Sequence, residues 1–161
     1  LTIAIEIGLL LALVLFMKRM SEVTHITVAK DQLDLSNEGE IYHEEEKLIV
    51  PQGVEVYEID GPFFFGVANK FDECMKTIGD KPRIRIIRMR KVPFMDTTGL
   101  HNLESLYRLS TKEKKQVILS GVNEQVRATL VKSSFARTIG EENICSNIHE
   151  ALKRAEVCLK S

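Results

Sequence analysis

The chain has 161 residues, of which 44% are hydrophobic, and its formal net charge is −1. This length suits one domain with its own core, and the near-neutral charge argues against a nucleic-acid-binding protein, because phosphate backbones bind surfaces rich in Lys and Arg. The three cysteines and four histidines lack the spacing of a metal site or a disulfide framework. No nucleotide-binding loop or nucleophile motif is present. We therefore expect no catalytic residue, no metal and no cofactor.

The first segment is strongly apolar. Between residues 1 and 17 the only charge is Glu6, and Lys18 and Arg19 follow directly. A signal peptide carries its positive charges before the apolar run, and a buried core helix of a globular domain shows regularly spaced polar residues. We interpret residues 1–20 as the end of a transmembrane helix that starts upstream. The two cations then place the rest of the chain on the cytoplasmic side of the inner (plasma) membrane, as part of an integral membrane protein.

A transition zone follows at residues 21–52. It contains an acidic cluster and ends at the turn signal Pro51-Gln52-Gly53. We interpret this range as a linker that holds a candidate edge strand, at 40–43 or at 47–50. The acidic cluster is more typical of a solvated surface than of a binding site.

From residue 53 onward, the pattern alternates between strands and helices. Strands are predicted at 54–59, 83–89 and 116–119, and helices at 63–78, from Asp96, from Asn123 and from Asn147. Asn147 and Glu150 have the spacing of a capping box. The alternation predicts one α/β domain at residues 53–161, with a mixed, largely parallel β-sheet flanked by helices.

The connection between the second predicted strand and its helix carries the most chemical information. Asp96 is a good N-cap, since its carboxylate accepts from free amides of the first turn. Gly99 allows another backbone or a ligand to approach closely. Thr97 and Thr98 place hydroxyl groups at the carboxyl edge of the sheet, where open α/β folds usually bind ligands. Two interpretations of this motif are equally supported: a cap that only stabilises the helix, and a cap that also binds a partner.

This connection resembles the signature loop of STAS domains, through Asp96-Thr97-Thr98-Gly99-Leu100 with Phe94-Met95 before it and Leu103-Glu104-Ser105-Leu106 after it. The segment from Val56 to Phe65 is similar to the opening strand and turn of transporter STAS domains. The family includes anti-sigma-factor antagonists and the C-terminal domains of SulP anion transporters. The apolar first segment favours the transporter branch.

The resemblance implies the STAS (anti-sigma-factor-antagonist-like) fold and a non-catalytic function. We expect a cytoplasmic regulatory or assembly domain of a SulP-type inorganic, sulfate-like anion transporter. Its main partner would be the membrane-embedded transport domain of the same polypeptide. Further candidate partners are a cytoplasmic protein, a nucleotide and a second copy of the chain. The resemblance also implies that Thr98 occupies the position that is phosphorylated in antagonists. The alternative to a transporter domain is a soluble antagonist-type phosphoswitch that binds a kinase or anti-sigma partner.

The strand before the loop is unusually basic. One interpretation places Arg83 and Arg85 at one solvated end of the strand, with Arg88, Arg90 and Lys91 projecting from the other end. The other interpretation assigns Arg88, Arg90 and Lys91 as secondary contacts to an anion or a nucleotide, because they lie just before the loop.

Overall fold

The computed structural model describes residues 2–23, 25–29, 32–33, 48–61, 63 and 82–160. The α-helices are α1 Thr2–Val23, α2 Thr97–Lys112, α3 Glu124–Lys132, α4 Phe135–Ile139 and α5 Ile148–Lys160. The strands are β1 His25–Ala29, β2 Gln32–Leu33, β3 Leu48–Ile49, β4 Val54–Asp60, β5 Ile84–Lys91, β6 Gln116–Ser120 and β7 Ile144–Cys145, and a 3-10 turn spans Glu141–Asn143. Apart from Phe63, the helix predicted at 63–78 lies outside the described residues, as does the candidate strand at 40–43.

The main sheet has five strands in the order β1-β4-β5-β6-β7. β1 runs antiparallel to β4, and the pairs β4–β5, β5–β6 and β6–β7 are parallel. β5 lies at the centre, and its first six residues are buried. Isoleucines at three of these positions suit a strand that is covered on both faces. The predicted mixed, largely parallel sheet is confirmed.

Each face of the sheet has its own apolar core. On one face, Tyr57, Ile87 and Leu119 pack beneath α2, α3 and α4. On the other face, Val56, Ile86 and Ile118 pack against α5. The odd and even positions of each strand thus supply different cores, as expected when side chains alternate across a pleated strand. The result is a three-layer arrangement that holds the strand ends, and the loops that follow them, in fixed positions.

The edge of the main sheet comes from a segment that the sequence prediction missed. β1 pairs residue by residue with β4, from His25 opposite Asp60 to Ala29 opposite Val56. The predicted strand within 47–50 is present as β3, but it pairs with β2 in a separate two-stranded sheet. The range 21–52 therefore contributes a strand to the main sheet and is more than a linker.

The first segment forms the predicted helix, α1. Its large apolar side chains from Ile3 to Met17 are 53% to 70% exposed, and none of the side chains that the structure describes in it, at residues 2–19, belongs to either core. Within the part of the chain that the structure describes, no helix is both long and apolar enough to span a membrane. The uninterrupted apolar stretch between Glu6 and Lys18 reaches about 16 Å at the helical rise, against a hydrocarbon core of about 30 Å.

Candidate functional site

The loop after β5 is held by a helix cap. β5 ends at Lys91 and α2 begins at Thr97. Asp96 adopts an extended backbone conformation, and its Oδ1 accepts a hydrogen bond of 2.7 Å from the Gly99 N–H. The carboxylate also lies at the positive end of the helix dipole. The prediction of Asp96 as N-cap is confirmed.

Gly99 is required for a close backbone approach. A Cβ atom at this position would overlap the carbonyl oxygen of Phe63 and would lie 2.8 Å from its carbonyl carbon and 2.9 Å from Met95 Cγ. Phe63 is buried, and its N–H donates to the Phe94 carbonyl at 3.4 Å. The group that Gly99 admits is therefore backbone from the segment after β4. This contact ties that segment to the first turn of α2.

The two threonines face outward. Thr97 and Thr98 are exposed, as are Asp96 and Pro93 beside them, and Phe94 is 39% exposed. Within the described residues, neither threonine hydroxyl takes part in a hydrogen bond. We call the surface formed by residues 93–98 the signature surface. It presents one aromatic ring, two hydroxyls and one carboxylate on a rigid support.

Asn123 fixes the signature surface from the next strand. Its side-chain N–H groups donate to the carbonyls of Val92 at 2.8 Å and Pro93 at 3.3 Å. Its Oδ1 accepts from the Val126 N–H at 2.8 Å, which caps α3. The cap was predicted from the sequence, and the tie to the loop was not. The sequence did contain a signal for this tie. Asn123 and the loop both follow predicted parallel strands, and the carboxyl ends of neighbouring parallel strands meet at one edge of the sheet.

The cations predicted as anion contacts lie close together, and acidic residues of β4 bind two of them. Arg88 is 3% exposed, and its Nη1 lies 3.3 Å from Glu58 Oε2. Lys91 Nζ lies 3.4 Å from Glu58 Oε1 and 3.2 Å from Asp60 Oδ2. Arg90 is exposed. The interpretation that Arg88 projects into solvent is wrong, since the parallel register places it opposite Glu58.

The surroundings of Arg88 and Lys91 shift the pKa of both side chains. Burial lowers the pKa of the Arg88 guanidinium, and the nearby charge of Arg90 lowers it further. Hydrogen bonding to Asp60 and the charge of Glu58 raise the pKa of Lys91. Both residues form ion pairs with acidic side chains of β4.

Arg85 was placed at a solvated end of the strand, and this interpretation is also wrong. Its side chain is buried, with Nη1 donating to Ser110 Oγ at 2.8 Å and Nη2 to Glu113 Oε2 at 3.2 Å. Nearby, the Tyr57 hydroxyl donates to Glu55 at 2.8 Å. Burial and this hydrogen bond raise the pKa of Tyr57. The buried charges stabilise the join between the sheet and the end of α2.

The polar groups of the signature surface can donate and accept hydrogen bonds. The Asp96 carboxylate, which is the acidic group of this surface, already accepts from Gly99. Among the residues that the structure describes, no three His, Cys, Asp or Glu side chains are grouped as metal ligands.

Comparison with known proteins identifies the relatives of this chain. The family model of the STAS domain matches residues 47–151. Sulfate transporter 1.1 of Arabidopsis thaliana is 30% identical over 165 aligned positions, which cover 93% of this chain and 25% of that protein. The chain thus spans about a quarter of the length of such curated relatives.

Two solved structures are also similar. The sulfate transporter family protein from Wolinella succinogenes has a TM-score of 0.66 and 38% identity, covering 71% of this chain and 93% of its own. The SulP transporter STAS domain from Vibrio cholerae has a TM-score of 0.61 and 36% identity, covering 68% of this chain and 86% of its own.

Proposed function

The chain belongs to the STAS domain family, and on that premise we propose that it is a non-catalytic regulatory or assembly domain of a SulP-type anion transporter. The observation that supports this function best is the signature surface, residues 93–98. Apart from Met95 it is exposed, it is held at both ends by hydrogen bonds, and its carboxylate, Asp96, already accepts a hydrogen bond from the Gly99 N–H. A rigid surface of this kind suits recognition of a partner rather than turnover of a substrate.

The proposed main partner is a membrane-embedded transport domain in the same polypeptide. The relatives named as sulfate transporters are about four times as long as the part they share with this chain. The exposed apolar side chains of α1 need a cover, because a patch of that extent is unfavourable in water. A transport domain, on the membrane side of Lys18 and Arg19, would supply this cover and place the sheet in the cytoplasm.

The fold supports a role for the signature surface in that contact. α1 ends at Val23, and β1 begins at His25, opposite Asp60 at the carboxyl edge of the sheet. The signature surface follows β5 at the same edge. The chain therefore leaves α1 on the side of the sheet where the threonines are exposed. We expect the signature surface to face the transport domain or a cytoplasmic protein bound beside it.

Thr98 is the proposed point of regulation. Its hydroxyl is exposed in the first turn of α2, at the position that corresponds to the phosphorylated residue of antagonists. A phosphate there adds about two negative charges. The helix dipole favours this charge by about 1 kcal/mol, and the Asp96 carboxylate opposes it by a similar amount. Phosphorylation should therefore change what the surface binds and leave the fold intact.

The test is a substitution in the complete transporter. Thr98→Glu should change anion uptake, measured at equal amounts of protein in the membrane, while the melting temperature of the domain stays close to that of wild type. Thr138→Glu is the matched control, because Thr138 is an exposed threonine of α4 and lies outside the signature surface. If both variants transport like wild type, the signature surface has no regulatory role and the proposal is wrong.

A further inference from the structure

A cavity lies at the amino edge of the sheet, opposite to the signature surface. It has a volume of about 360 Å3 and is lined by Pro82, Arg83, Glu113, Lys114 and Lys115. Arg83 immediately precedes β5, and the two lysines immediately precede β6. The cavity is therefore framed by two adjacent strand starts and by the end of α2. Its size is at the lower end of the range for small-molecule sites.

Among the lining residues that the structure describes, the one carboxylate, Glu113, is already neutralised. Glu113 Oε2 lies 2.7 Å from Lys115 Nζ and 3.2 Å from Arg85 Nη2. The hydrogen bond from Lys115 lowers the pKa of Glu113, so this group is ionised at neutral pH. Two cations thus surround one carboxylate, and the remaining lining charge comes from Arg83 and Lys114.

Neither of these two cations is paired with a carboxylate of the described residues. Arg83 is exposed and donates one N–H to the Leu159 carbonyl at 3.5 Å, which leaves most of the five guanidinium donors available. The Lys114 ammonium has no ion pair within the described part of the chain. The lining formed by the described residues is therefore net positive, with Pro82 as its apolar side.

The position of Lys114 is fixed by the backbone. Its φ of 58° is in the left-handed region, which favours glycine. The turn is closed by hydrogen bonds from the Lys114 N–H to Thr111 and from the Lys115 N–H to Ser110. Replacing Lys114 by glycine would therefore remove the charge and keep the turn.

We infer that this amino-edge cavity binds a small polyvalent oxyanion, either sulfate itself or a phosphate ester. Guanidinium and ammonium groups recognise sulfate and phosphate oxygens through charge-assisted hydrogen bonds. A lipid headgroup fits less well, because the edge from which the chain continues to α1 is the opposite one. The inference rests on the proposed function, since a domain attached to a sulfate-like anion transporter could then respond to the anion that has entered the cell.

The test is an NMR titration of the full chain in detergent micelles, with sodium sulfate and glycerol phosphate as separate ligands and sodium chloride as the ionic-strength reference. Saturable shifts should centre on the amides of Arg83, Glu113 and Lys115. Arg83→Gln and Lys114→Gly should each weaken binding about fivefold or more, as expected for loss of one favourable charge. Lys153→Gln, an exposed lysine on α5, is the matched control and should bind like wild type.

A second variant tests the sign of the electrostatics. Glu113→Gln removes the carboxylate of the described lining and should tighten binding, whereas loss of a merely structural residue would weaken it. Tighter binding of sulfate than of glycerol phosphate would identify sulfate as the oxyanion that the cavity recognises, and the reverse order would identify a phosphate ester. Shifts that are linear with every salt, or that centre on residues 93–98, would overturn the inference. That result would leave the proposed function intact, because Thr98→Glu tests the opposite edge by transport.

Discussion

Gly99→Ala should destabilise the domain strongly, although the substitution adds only one methyl group. The new Cβ would overlap the Phe63 carbonyl oxygen and lie 2.8 Å from the carbon that carries it. Phe63 cannot retreat easily, since it is 1% exposed and its N–H is bound to Phe94. Overpacking typically costs up to about 3 kcal/mol, and Gly99→Ala should lie at this upper end because the overlapping atom belongs to backbone. The better helix propensity of alanine returns about 0.5–1 kcal/mol, so the net loss should be about 2 kcal/mol.

The loss is measurable as a shift in thermal and urea unfolding. For a domain of about 100 residues, 2 kcal/mol corresponds to a fall in Tm of about 10 °C. Gly8→Ala is the matched control, because no described atom outside the backbone of its own helix lies within 4 Å of the position of its Cβ, and Gly8 lies in the part of α1, residues 2–19, whose side chains belong to neither core. If Gly99→Ala melts within about 2 °C of wild type, less than 1 kcal/mol has been lost. The backbone of Phe63 would then be free to move, and the rigidity argued for the signature surface would be wrong.

Substitutions at two further positions separate contributions at the two edges of the sheet. Asn123→Asp keeps the acceptor that caps α3 but loses the donors to the carbonyls of Val92 and Pro93, so it should lower urea stability by about 1–2 kcal/mol. Asn123→Ala also loses the cap and should lower it by about 1 kcal/mol more. If Asn123→Asp is as stable as wild type, the tie to the loop contributes nothing. The pKa of Glu113 in the folded state lies below its ordinary value. Its contribution to stability is therefore fully present above that ordinary value and is lost as the pH falls through the lower, folded-state pKa. Glu113→Gln should therefore flatten the pH dependence of Tm in acid, and an unchanged slope would contradict the assignment.

The sequence predicts those features of the fold that depend on local patterns. Asp96 and Asn123 identify two helix starts, because caps act within four residues of themselves. The isoleucines of β5 identify a strand covered on both faces. The signature surface is likewise identified by adjacent residues, and the structure places all of them at one edge.

Features that depend on register could not be predicted. Arg85 and Arg88 are charged residues in a strand, and a strand alone does not show which acidic side chain lies opposite. Their burial depends on Glu113 and Glu58, which are 28 and 30 residues away in sequence. β7 has only two residues, and such a short segment carries no periodicity. The amino-edge cavity was missed for the same reason, since its lining comes from two separate strand starts.

The pairing of β1 determines how the domain would respond to a mechanical load. α1 ends two residues before β1, and the five residues of β1 lie antiparallel to β4. A pull along the axis of β1 would load its hydrogen bonds together, in shear, whereas a pull perpendicular to the sheet would break them one after another. Displacement of α1 along that axis would therefore be transmitted to β4, and through Glu58 to Lys91, just before the signature surface. In this geometry, the pairing of β1 with β4 resists force along the strand axis and separates more easily under force perpendicular to the sheet.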